Sequence, residues 1–245
     1  MAPATDPNLT RPQAVIVAHG QPSDPAPAEA TLRRLAGQVG ARLPGWSVDS
    51  ATLAAPDRLE QTLARHRHAM IYPMFMADGW FTTMALPKRL QERWQRQMLV
   101  PLGMDPQLPG IAAQLVNRVV TAKGWSAQRT CLIIAAHGGQ ASQNPARAAR
   151  AFTAALADIA GFGDIRLGFI EQAPDLAQIA ADTGAQTVCL PFFAANGRHV
   201  RTDIPAALNR AGFRGELLDP IGLSSQIPDL IARSLKQNQM VQTPA

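Results

Sequence analysis

The chain has 245 residues, 47% of them hydrophobic, 17% charged and 5% aromatic, with a formal net charge of +5; this is enough for one large domain or two of ordinary size and excludes a disordered tail. Cys131 and Cys189 each sit in an apolar stretch, which excludes a disulfide scaffold and a CxxC-type zinc or redox site and leaves two buried, reduced thiols as the expectation. With no run of about 18 apolar residues and no signal-peptide pattern in MAPATDPNLTRPQ, the expected location is the cytoplasm, with no membrane partner. The scattered arginines argue against a nucleic-acid partner and leave at most an acidic small molecule.

In chain order, short β-branched runs predict strands at Ala14 to Ala18, Val48 to Leu53 and Met70 to Phe75, with amphipathic helices between them. The Arg65-His66-Arg67-His68 cluster falls at a helix end, where solvated cations favour the dipole. Trp94 to Gly110, with Met98, Met104 and several prolines, fits no element well and reads as a loop over a cleft or part of a dimer contact. The polar segment Lys123 to Gln128 reads as a joint. Beyond it come a strand at Thr130 to Ala136, a helix at Pro145 to Ile159, a strand at Ile165 to Ile170, a helix at Pro174 to Thr183 and a strand at Thr187 to Phe193. Asp203 and Pro205 open another helix, Gly215 to Leu218 reads as a weak fourth strand, and Ser224 to Lys236 closes the domain. Proline fits the first turn of each helix.

Shifting the sequence by 118 positions aligns it with itself without a gap. Ala18-His19-Gly20 falls on Ala136-His137-Gly138, and Ala55-Pro56-Asp57 falls on Ala173-Pro174-Asp175. Pro73, Phe75, Ala77 and Gly79 fall on Pro191, Phe193, Ala195 and Gly197. The expectation is an α/β protein of two tandem, doubly wound parallel-sheet domains, residues 1–123 and 124–245, related by a pseudo-two-fold with one cleft between them.

Ligands bind beyond the carboxyl ends of strands in such sheets. In the second copy His137, Glu171 and His199 fall at three such ends. If the first strand lies between the other two, all three point into one crevice, and two imidazoles with one carboxylate suit a divalent first-row metal with open positions. Glu171 can alternatively serve the following helix N-terminus, although Asp175 already fills that role. The first copy keeps His19 but places Leu53 opposite Glu171 and Phe81 opposite His199. Met74, Met76, Trp80 and Phe81 suit contact with a flat organic ring, and core packing explains them equally well. No GxxxxGK[ST] loop or G-x-S-x-G elbow occurs, and Gly161-Phe162-Gly163 is not a dinucleotide fingerprint.

Leu132 to Gly138 (LIIAAHG), Gly168 to Glu171 (GFIE) with Ala173-Pro174, and Leu190 to Pro205 (LPFFAANGRHVRTDIP) resemble the class II tetrapyrrole metal chelatases, the sirohydrochlorin chelatases of CbiX and SirB type in their long, internally duplicated form. The resemblance implies ATP-independent insertion of Fe2+ or Co2+, with Ni2+ also open, into a precorrin-2-derived tetrapyrrole for sirohaem or cobalamin, by a monomer or homodimer. It implies that His137 and His199 are the active-site histidines, with Glu171 the acid beside them. Some long members keep the site in the N-terminal copy; here Phe81 and Leu53 argue for the C-terminal one. Gly139 to Asn144 differs from the Ser-Arg pair often found after the first histidine. On this reading the histidines hold the metal and accept pyrrole protons, His19, Trp80 and Phe81 brace the ring, and Arg198, Arg201 and Arg147 draw in the carboxylate-rich substrate. A carrier that kept the fold and lost turnover, or a protohaem-type ferrochelatase, are the alternatives.

Overall fold

The computed structural model describes residues 11–90, 97–139 and 142–242. Residues 1–10, Trp94 and the Gln140-Ala141 pair of the loop after His137 lie outside them. Two compact units emerge: Met1–Met74, Trp80–Pro101 and Gln226–Ala245 form one, and Phe75–Gly79 with Leu102–Ser225 the other. The units thus cut the chain differently from a boundary at 123/124, and the Lys123 to Gln128 segment lies inside the second.

In the first unit a three-stranded parallel sheet has the order β2-β1-β3, from β1 (Gln13–Ala18), β2 (Ser47–Thr52) and β3 (Met70–Pro73). The central β1 has an AVIV run that is apolar on both faces and buried throughout, and β2, with Asp49 and other polar residues, suits an edge, while the equally buried β3 is flanked on its outer side by Met98. Helix α1 (Pro25–Gly40) buries Glu29, Leu32, Ala36 and Val39, a stripe at helical spacing, and α2 (Arg58–Arg65) buries Leu59, Thr62 and Leu63. A π-helical turn, Phe81–Ala85, leads into α3 (Leu86–Arg89).

The second unit repeats the plan with a fourth strand, in the order β5-β4-β6-β7: β4 (Cys131–Ala136), β5 (Asp164–Phe169), β6 (Thr187–Pro191) and β7 (Glu216–Leu217). Around it lie α4 (Leu108–Ala122), α5 (Asn144–Ala160), α6 (Leu176–Ala180) and α7 (Ile204–Arg210). The last helix, α8 (Ile227–Gln242), packs on α1 in the first unit, where Arg42 Nε donates to Asp229 Oδ1 at 2.7 Å, while α4 packs on α5 in the second. Among the described residues no helix is long and apolar enough to cross a membrane.

Several expectations are corrected. The described part of Trp94 to Gly110 is built into the fold: Ile71 N–H donates to Gln97 O and Leu99 N–H to Ile71 O, so Met98 pairs with β3 much as β7 pairs with β6. Leu108 already begins α4. Pro174 precedes α6 instead of entering its first turn, and Asp175 caps that helix by accepting from the Ala177 and Gln178 N–H groups. Of the two cysteines only Cys189 is buried, which pushes its thiol up to about 12; Cys131 is half-buried beside Asp164.

His66 is also less solvated than its neighbours imply. Arg65, Arg67 and His68 are exposed, but the His66 side chain is 13% exposed and its Nε2 lies 3.3 Å from Asp49 Oδ2, with Arg65 Nη2 at 3.0 Å from the same oxygen. Burial pushes the Asp49 carboxyl up, but hydrogen bonds from His66, the Ser50 N–H and Arg65 outweigh it and hold the group well below the usual carboxylate range. A depressed carboxyl contributes stability that is present above its unfolded value near 4 and is lost as pH falls below it. Asp49→Asn is therefore expected to cost about 1–3 kcal/mol at pH 7, a difference that shrinks between pH 4 and pH 2. Urea unfolding of both proteins across that range checks it; a constant difference contradicts it.

Candidate metal centre

The sheet order places β4 between β5 and β6, so the loops leaving their carboxyl ends converge. Ala136 is level with Phe169, and Ala135 with Pro191. His137 follows β4 directly. Glu171 lies two residues past β5, held by its N–H donating to His137 O at 3.1 Å. His199 opens a π-helical turn, His199–Asp203, after β6. One donor atom from each of His137, Glu171 and His199 falls within 4.8 Å of the others.

The hydrogen bonds fix what the imidazoles present. His137 Nδ1 lies 3.0 Å from Gly138 O, and His199 Nδ1 lies 2.7 Å from Asp203 Oδ2. A carbonyl and a carboxylate only accept, so each Nδ1 carries the proton and each neutral ring is left with a lone pair on Nε2. These two Nε2 atoms face each other at 3.2 Å. Two Nε2 atoms this close either share a proton or hold a metal cation between them. Donors bound at about 2.1 Å to a first-row metal stand about 3.4 Å apart at the tetrahedral angle, close to the observed separation. The Glu171 side chain is 47% exposed with Oε2 3.6 Å from His137 Nδ1, so its carboxylate has room to swing toward a bound ion.

Three neighbours were not singled out from the sequence. Asp203, read there only as a helix opener, sits one helical turn past His199, and this spacing of four was the signal available. Gln172 accepts the Gly139 N–H at 3.0 Å. Phe193 stands with its ring 6.4 Å from His137 and 6.5 Å from His199. Arg198, Arg201 and Arg147 are exposed.

The first copy keeps the scaffold and loses the donors. His19 Nδ1 donates to Gly20 O at 2.7 Å, as His137 does to Gly138, and Phe81 heads the matching π-helical turn. The His19 and Phe81 rings meet edge-to-face at 4.2 Å and 85°, against 4.5 Å and 82° for His137 and His199. Trp80, 63% exposed, leans on Phe81 at 5.1 Å, whereas Met74 is buried in the core. The counterpart of Glu171 needs correction. Ala18 is level with Thr52 while Ala136 is level with Phe169, an offset of 117 (169 − 52), and Ala54 N–H donates to His19 O as Glu171 N–H does to His137 O. Ala54, not Leu53, occupies the Glu171 position; Leu53 packs against the core. The register returns to 118 at Ala173-Pro174-Asp175, so the second copy holds one extra residue between strand end and Pro-Asp.

Comparison with solved structures finds CbiX, the terminal enzyme for biosynthesis of siroheme in denitrifying bacteria, at 42% identity and a TM-score of 0.84, covering 93% of this chain and 99% of that one. The chain belongs to the CbiX family. The CbiX family model matches residues 131–238, the copy that carries the histidine pair. SirB from Bacillus subtilis with Fe3+ matches at 13% identity and a TM-score of 0.72, covering 95% of this chain and 98% of that one. The sirohydrochlorin chelatase SirB from Bacillus subtilis subspecies spizizenii, in complex with cobalt, matches at 12% and 0.66 with the same coverage. At those identities the SirB structures establish the chelatase fold. Comparison with curated proteins returns no match.

Proposed function

We propose that the chain is a sirohydrochlorin chelatase that inserts Fe2+ or Co2+ into a precorrin-2-derived tetrapyrrole without ATP, with its site in the second copy. The observation that carries this reading is the pair of Nε2 atoms facing each other at 3.2 Å, each ring's Nδ1 set beside a hydrogen-bond acceptor. Kinship with CbiX supplies the substrate class.

Insertion requires stripping water from the metal and removing two pyrrole protons. The incoming metal is the substrate, taken first by His137 and His199 with Glu171 completing the donor set. Imidazole is a weak enough hold on Fe2+ or Co2+ for the metal to pass to four pyrrole nitrogens. Once it moves across, the same Nε2 lone pairs are free to accept the displaced protons, so one group serves as ligand and then as base. Arg198 and Arg201, exposed on the turn that carries His199, are placed to meet substrate carboxylates by charge-assisted hydrogen bonds. His19, Trp80 and Phe81 remain proposed contacts for the macrocycle.

The test is anaerobic metallation of sirohydrochlorin by the purified protein with Fe2+ or Co2+ and no ATP, followed by absorbance. The protein should accelerate metallation over the spontaneous rate, and His137→Ala should lose that acceleration. Binding of metal or macrocycle without acceleration identifies a carrier instead, and a preference for protoporphyrin a ferrochelatase.

A further inference from the structure

We infer that Asp203 is the positioning residue of this site: by accepting the Nδ1–H of His199 it fixes the tautomer and aim of that imidazole, so that Nε2 meets an incoming metal as a lone pair. The inference rests on the function proposed above for the meaning of the site. Its geometry is a 2.7 Å contact between His199 Nδ1 and Asp203 Oδ2, four residues apart in one π-helical turn.

The competing structural explanation is that Asp203 caps α7. It does not. Its backbone is already helical at φ −78° and ψ −39°, and its side chain makes no hydrogen bond to the N–H groups of α7. Asp175, by contrast, has extended backbone and accepts from two N–H groups of α6. The Asp203 carboxylate spends its hydrogen bond on the imidazole. A carboxylate behind a ligating histidine is the usual means of choosing which ring nitrogen stays bare.

The duplicated copy provides an internal control. Where His199 is replaced by Phe81, Asp203 is replaced by Ala85 at the same offset of 118, although both π-helical turns have the same length. A residue needed for the turn itself would be expected in both; one needed for the imidazole has no use in the first. Asp203 also borders a cavity of about 230 Å3 with Asp175 and Arg210, and its side chain is 35% exposed, so removing it leaves no buried group unpaired and the variant is expected to fold.

The test has two readouts. Metal-free protein with 15N-labelled histidine, examined by long-range 1H–15N correlation and assigned with His199→Phe, should show the neutral His199 ring protonated on Nδ1 in the wild type and shifted toward Nε2 protonation in Asp203→Ala. In the metallation assay Asp203→Ala should raise the KM for Co2+ by about 10–100-fold, with the KM for sirohydrochlorin unchanged. Asp203→Asn, whose amide oxygen can still accept, should fall between. An Nε2-protonated His199 in the wild type, an unchanged tautomer in Asp203→Ala, or an unchanged cobalt KM overturns the assignment. A wild type that inserts no cobalt overturns the proposed function instead, and the tautomer then decides the Asp203 assignment alone.

Discussion

His199→Phe is expected to bring metal insertion down to the spontaneous rate, a loss of at least about a hundredfold for a group serving as both ligand and base, while leaving the melting temperature close to that of the wild type. Phenylalanine is the informative replacement because the molecule already contains the outcome. Phe81 heads the equivalent turn of the first copy and packs edge-on against His19 at 4.2 Å, nearly the distance His199 keeps from His137. The substitution therefore preserves ring packing and deletes the nitrogen. Alanine at this position would mix a lost ligand with a lost contact; phenylalanine separates them. Metallation rate and thermal unfolding measured together check the prediction, and retained activity would place the metal elsewhere.

The largest effect on stability with a consequence for the site is expected from Gly222→Ala. Gly222 lies in the turn Ile221–Leu223 after β7, and its N–H donates to Phe193 O at 3.0 Å. A Cβ there would fall 2.3 Å from Ala194 O and 2.5 Å from Ala194 Cα, which are backbone atoms and cannot rotate away. The strand-end segment from Phe193 to His199 would have to move as a whole. Overpacking of this kind costs about 1–3 kcal/mol, and at about 2–4 °C per kcal/mol for a chain of this size the melting temperature should drop by several degrees. Metallation should also fall at temperatures where the variant is fully folded, because the displaced segment carries His199. A destabilised variant with normal turnover when folded would show that the segment adapts.

The strands and the position of the histidines at their ends were legible because they follow from local pattern. That the first strand of each copy lies between the other two was only a condition in the sequence, and the structure meets it, with β1 and β4 as the middle strands of their own sheets. The 118-residue repeat then gave each site position a counterpart to compare. What the repeat concealed is the one-residue slip in β2 against β5: a deletion before the strand and an insertion after it cancel, so ungapped matching pointed to Leu53 where hydrogen bonds select Ala54. The grouping of α8 with the first unit and α4 with the second was likewise hidden, since an amphipathic stripe does not name the surface that covers it. Asp203 was hidden for another reason. Acid followed by Ile-Pro reads as a helix start, and only the structure reveals that the backbone is already helical and the side chain turned to an imidazole. His66 looked solvated because its neighbours in sequence are, yet its partner Asp49 comes from a strand 17 residues away.

X-ray absorption at the cobalt edge of the protein loaded anaerobically with one equivalent of Co2+ counts the imidazoles that hold the metal. A single ion per chain is expected, with two imidazole nitrogens and oxygen donors in its shell, and one imidazole fewer in His199→Phe. A shell with no imidazole, or one that His199→Phe leaves unchanged, would contradict it.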